Sequence, residues 1–191
     1  AYNGTHIKNR LLSYNTAPEK LDGVYSTDFS TDDVFRSYTA PSGKASIKYS
    51  DESGNVAITP AAANWYATLN FPFDWDLNGI QTITMDISAA TAGSVNIGLY
   101  GSDMEVWTKA VDVNTEVQTV TIGINELVKQ GNPQTDGKLD AALSGIYFGA
   151  ATADTGSITI DNVKIVKLAT PVYTANTYPH KDMGEESYID I

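Results

Sequence analysis

The side chains best suited to breaking bonds are few in this sequence, and they are scattered. Hydrolysis of a glycosidic bond needs two carboxylates flanking it, roughly 5 to 9.5 Å apart. There are seven glutamates, Glu19, Glu52, Glu105, Glu116, Glu126, Glu185 and Glu186, and no Glu-x-Asp-x-x-Glu arrangement. Glu105 and Glu116 read as lying in or beside turns, and most aspartates fall in loop-like stretches where solvation accounts for them. The two histidines, His6 and His180, stand near the two ends of the 191-residue chain, which argues against a His-based zinc centre or a Ser-His-Asp site. With no cysteine there is no thiolate metal site and no disulfide framework. Gly-x-Ser-x-Gly elbows, phosphate loops and EF-hand spacing are also missing from the sequence.

Binding chemistry is better represented. A net charge of -11 repels phosphate backbones and anionic membranes, which argues against nucleic acid and membrane partners. A neutral ligand or a cation suits that field. Flat aromatic rings beside amide, carboxylate or hydroxyl groups make a surface that can stack on apolar C–H faces and bond polar rims. Tyr38, Tyr66, Tyr100 and Tyr147 are the candidate platforms, and Asp103, Asn96 and Asn70 the candidate hydrogen-bonding groups. The competing reading of each tyrosine is plain cover for the second face of a sheet.

The elements that must position these groups are strands. From about Lys44 onward apolar residues alternate with polar ones: Ile83, Met85, Ile87; Val95, Ile97, Leu99; Val120, Ile122, Ile124; Ile146, Phe148; Ile158, Ile160; Val163, Ile165. A period of two puts one set in a core and the other on an opposite face. Tyr66, Tyr100 and Tyr147 fall at the non-core phase. Trp65 shares its phase with Leu69 and Phe71 and is expected in the core, as are Phe29, Phe71 and Phe148. Trp75 reads as a loop residue after Pro72. Turn chemistry separates the runs at Ser53-Gly54-Asn55, Asn78-Gly79, Ala92-Gly93 and Thr155-Gly156. Helix signals are confined to 125–130, one turn capped by Asn125 and stopped by Gly131 and Pro133. The expected fold is all-β, an antiparallel β-sandwich or jelly roll, over 21–167. The segments 1–20 and 168–191 read as an N-terminal arm and a C-terminal arm or linker.

Three stretches resemble the family 11 carbohydrate-binding modules of bacterial β-glucanases. Asp28-Phe29 opens a stretch with Phe35 and Tyr38. Glu105-Val106-Trp107 follows a long strand. Gly145-Ile146-Tyr147-Phe148 comes after Gly137-Lys138-Leu139-Asp140, and Gly156-Ser157-Ile158-Thr159-Ile160-Asp161-Asn162-Val163-Lys164-Ile165 closes the match, which spans roughly Leu21 to Lys167. The family has His where Tyr147 stands and Tyr where Ala150 stands.

The resemblance implies a jelly roll that binds a polysaccharide, β-linked glucan in particular, in a cleft without catalysing a reaction. It also implies structural calcium, for which Asp28 and Asp161 are the matching carboxylates. Capping of a turn is the alternative role for Asp161. A module of this kind is expected in a secreted, extracellular protein, attached to catalytic or scaffold domains. The start at Ala1 fits a domain excised from such a protein. A structural or adhesion domain contacting protein partners is the alternative, and a glycoside hydrolase the third reading.

Overall fold

The computed structural model describes residues 23–30, 35, 37–50, 52–75, 80–130 and 143–167. Both arms, the Asn78-Gly79 turn and the Gly137–Asp140 motif lie outside the described residues.

Among the described residues twelve strands form in chain order: β1 (Gly23–Thr27), β2 (Ser37–Thr39), β3 (Ala45–Ser50), β4 (Asn55–Pro60), β5 (Trp65–Trp75), β6 (Ile80–Ala89), β7 (Gly93–Gly101), β8 (Val106–Val113), β9 (Gln118–Gly123), β10 (Val128–Lys129), β11 (Leu143–Ala150) and β12 (Ile158–Lys167). These described strands pair antiparallel into two sheets of six. One has the order β3-β4-β12-β6-β9, with β1 also paired to β12, and the other β10-β8-β7-β11-β5-β2. We call them the β6 sheet and the β11 sheet.

The alternation read from the sequence is what holds the sheets together. Ile58, Ile83, Met85, Ile87, Ile122 and Ile160 from the β6 sheet share one buried core with Trp65, Leu69, Phe71, Ile97, Leu99 and Phe148 from the β11 sheet. Each such side chain contributes about 1.5–3 kcal/mol by leaving water. Trp65 is buried as expected, and its indole N–H donates to the Thr152 carbonyl (2.8 Å), so its one polar atom is satisfied inside.

The first and last strands are neighbours. The second half of β12 pairs with β1, from Thr27↔Val163 to Gly23↔Lys167, after its first half has paired with β4 through Ile158–Ile160. Asn162, at φ 48°, sits in the register irregularity where β12 changes partners.

Three expectations need correction. Strands begin well before Lys44, with β1 and β2. Trp75 ends β5 instead of lying in a loop. The helical turn at 125–130 is a 3-10 turn at Ile124–Glu126, started at Gly123, whose N–H donates to the Glu126 carboxylate (2.7 Å). Leu127 then returns to extended backbone, and β10 follows, because a buried Leu127 and strand pairing to β8 outweigh a weak helical signal.

Candidate functional site

In a sheet, cross-strand partners point to the same side, so register decides which side chains share a face. On the outer face of the β11 sheet, Asn96, Gly149 and Tyr66 lie in one row across β7, β11 and β5. Gly98, Tyr147 and Thr68 make the next row, and Tyr100, Gly145 and Asn70 the third. β2 extends the second row with Thr39 and the third with Ser37. Three of the four candidate tyrosines therefore stand on adjoining strands of one face.

The rings lie down because the neighbouring positions have no side chain. A β-carbon on Gly149 would be 2.8 Å from the Tyr147 hydroxyl and 2.9 Å from its Cε1. On Gly145 it would be 2.7 Å from Tyr100 Cε1 and would run into the Leu69 carbonyl oxygen. At Gly98 it would run into the backbone of Trp107 and Thr108. These glycines let strands close up and let rings cover the gaps. Tyr147 and Tyr66 stack at 5.9 Å with planes 14° apart, an offset, nearly parallel pair. Tyr66 keeps 42% of its surface exposed, while Tyr147 is half-buried. Burial, and then the neighbouring Tyr66, push the Tyr147 phenol above its ordinary value, so it stays neutral and able to donate a hydrogen bond.

Tyr38 is not part of this group. Its register partner is Leu69, a core residue, and its ring stacks on Tyr49 (6.1 Å, 3°) and tilts against Phe35 (6.2 Å). The sequence left its phase open because β2 has only three residues. Asp103 sits in the β7–β8 turn, where its carboxylate accepts the Glu105 N–H (3.0 Å). That role is local. Asn70, a candidate hydrogen-bonding group in the sequence, is committed within the protein. Its Oδ1 accepts from Thr68 Oγ1 (3.0 Å) and from the Tyr100 hydroxyl, and its Nδ2 donates to Ser37 Oγ (2.9 Å) and Thr39 Oγ1 (2.8 Å). Asn96 remains half-exposed on the face. The glycines were missed by sequence reasoning, although isolated glycines inside strand patterns signal close backbone approach.

At the edge of the same sheet, Trp107 has a supporting role. Its indole N–H donates to Glu105 Oε2 (3.0 Å), and the Glu105 carboxylate, only 2% exposed, pairs with Lys129 (3.1 Å).

Asp28 and Asp161 each make a local hydrogen bond. Asp28 lines an open hollow of ~530 Å³ with Ser26, Thr27, Ser30, Asn162, Val163 and Lys164, and Asp161 is absent from that lining. The Asp28 carboxylate accepts the Ser30 N–H (3.0 Å), and hydrogen bonds to Ser30 hold its pKa below the ordinary value. Asp161 accepts the N–H of Asn162 (2.6 Å), the turn-capping role weighed for it. Calcium takes six to eight oxygens. Among the described residues no three acidic or histidine side chains converge.

Two antiparallel sheets around one core define a jelly-roll-type sandwich, and the comparisons with known proteins agree. No family model and no curated protein sequence matches the chain. Solved structures do. A family 11 carbohydrate-binding module from Clostridium thermocellum, in complex with a β-1,3-1,4-mixed-linked tetrasaccharide, matches at TM-score 0.61 and 19% identity, covering 78% of this chain and 98% of that one. The family 11 module of the cellulosomal cellulase Lic26A-Cel5E of the same organism matches at TM-score 0.53 and 16% identity, over 82% and 94%. A variant of a family 29 carbohydrate-binding module complexed with cellulohexaose matches at TM-score 0.53 and 15% identity, over 76% and 93%. At such identities the likeness is one of fold. Among the described residues no helix is long and apolar enough to cross a membrane.

Proposed function

We propose that the protein binds an internal stretch of a neutral polysaccharide, of the β-glucan class, on the outer face of the β11 sheet. It performs no chemistry there. The observation that carries this reading is the offset Tyr66–Tyr147 stack beside Tyr100, with the Tyr147 ring set against Gly149 and the Tyr100 ring against Gly145. Such rings offer flat apolar faces to pyranose C–H faces. Among the described residues, the three rows of this face carry tyrosine, threonine, serine, asparagine and glycine and no carboxylate, whereas glycosidic hydrolysis uses two. The similar solved structures add weight, being carbohydrate-binding modules, two of them holding glucan oligosaccharides.

Affinity on the order of 10–100 μM, about -6 kcal/mol, is expected of such an open surface. A weak grip becomes useful when the module is tethered in a secreted protein, because holding the polymer raises its effective concentration at an attached catalytic or scaffold domain. Affinity electrophoresis against soluble mixed-linkage β-glucan, xylan and mannan tests the reading. Retardation by the β-glucan that is lost in Tyr147→Ala supports it, and migration unaffected by every polysaccharide refutes it.

We propose a structural cation at Asp28, with Asp161 as the second carboxylate that the resemblance implies. Calcium that raises the melting temperature, and ceases to in Asp28→Asn, supports that site. A flat response removes it.

A further inference from the structure

Tyr100 starts on β7 and its hydroxyl ends on Asn70 of β5, two strands away. The strand between them is β11, and the residue bridged is Gly145, the register partner of both. Tyr100 thus lies across the middle strand of the face, fixed at its far end. Its hydroxyl is engaged, so what it offers outward is ring.

The group that fixes it is saturated. A side-chain amide has two N–H donors and two lone pairs on its oxygen. Asn70 uses all four, on Thr68 and Tyr100 through Oδ1 and on Ser37 and Thr39 through Nδ2. It is only 6% exposed, in surroundings where an unmade hydrogen bond is expensive. The amide therefore has one orientation, set from the edge strand β2 and delivered to a ring two strands inward. A rotating tyrosine would lose conformational freedom on meeting a sugar, and a ring already pinned does not.

We infer that Asn70 is a positioning residue for ligand binding, which holds Tyr100 flat over Gly145 as a second preformed platform beside the Tyr66–Tyr147 pair. This rests on the reading of the face proposed above and adds a residue that never touches the ligand. It also separates the tyrosines by role: Tyr66 and Tyr147 support one another, whereas Tyr100 depends on an amide.

Isothermal titration of the full chain with soluble mixed-linkage β-glucan, alongside melting curves, tests it. Tyr100→Phe keeps the ring and loses the pin, and should weaken binding roughly three- to ten-fold with the fold intact. Asn70→Ala should weaken it as much, and the double variant no further, because both remove one interaction. Asn70→Asp can still accept the Tyr100 hydroxyl and should stay within about threefold of wild type. If Tyr147→Ala loses binding while Tyr100→Phe and Asn70→Ala bind as wild type does, the positioning role is overturned and the binding face stands. Additive losses in the double variant overturn it as well. Failure of the wild-type chain to bind any polysaccharide overturns both proposals.

Discussion

On the outer face of the β6 sheet, Thr84 and Thr121 share a hydrogen bond between their hydroxyls (3.1 Å), and Thr119 donates to Asp86 (2.6 Å), which also accepts from Asn162 (2.8 Å). Thr82, Ser88, Thr159 and Lys164 continue that surface, and among the described residues it carries no aromatic ring. On the outer face of the β11 sheet, the corresponding outward positions hold Tyr66, Tyr100 and Tyr147 with Gly98, Gly145 and Gly149 between them. Both faces lie over the same core and obey the same alternation. Short β-branched hydroxyl residues that bond across strands make a self-contained, solvated cover. Large rings laid over glycines make a flat apolar surface, with polar groups at its margin. The inner phase fixes the fold, which leaves the two outer phases free to differ. The difference between them is where function is to be sought.

The comparison can be broken from the core outward. Phe148→Ala empties a buried ring site beneath Tyr147 and its neighbours. It should cost about 3–5 kcal/mol of unfolding free energy in a urea titration, taking both faces with it. Gly149→Ala forces a methyl to within 2.9 Å of the Trp65 carbonyl oxygen and against the Tyr147 ring. A stability loss of about 1–3 kcal/mol is expected, with weaker polysaccharide binding, measured by melting and titration calorimetry together. Tyr147→Ala should lower binding by about 1–3 kcal/mol with the sandwich still folded. By contrast, Thr84→Ala on the other face should change stability by no more than ~0.5 kcal/mol and binding not at all. The smallest effect is alkaline. Tyr147 ionises above the ordinary phenol value of 10.0, so the unfolded chain gives up that proton first. Its contribution is complete below that value and is lost as pH rises through the folded pKa. Phenolate absorbance should show a late-ionising tyrosine in the wild type that is missing in Tyr147→Phe.

The core and strand class were legible because alternation is a local, repeated signal. Ile83–Met85–Ile87 and Ile158–Ile160 announced their faces without help from elsewhere. Tyr66, Tyr100 and Tyr147 could be assigned to the outer phase for the same reason. Tyr38 could not, since β2 is too short to show a period and its orientation is set by pairing with Leu69 on β5. The role of Asn70 was also hidden. Its partners are 31 and 33 residues upstream on β2 and 30 downstream on β7, so only the folded register brings them together. The 3-10 turn at Ile124–Glu126 was misread as a longer helical turn because propensity alone cannot weigh the burial of Leu127 or the pairing of β10 with β8. The bond from the Asn162 N–H to Asp161 was hidden too, because it sits where β12 changes partners, which only the folded register sets.

The central claim is that ligand meets one outer face of the sandwich and not the other. Titrating isotope-labelled protein with soluble mixed-linkage β-glucan, and following backbone amide resonances, tests this most directly. Progressive shifts are expected at Tyr66, Asn96, Tyr100 and Tyr147, with Thr84, Thr121 and Thr159 unmoved. Shifts centred on those threonines, or a spectrum unchanged at saturating polysaccharide, would contradict it.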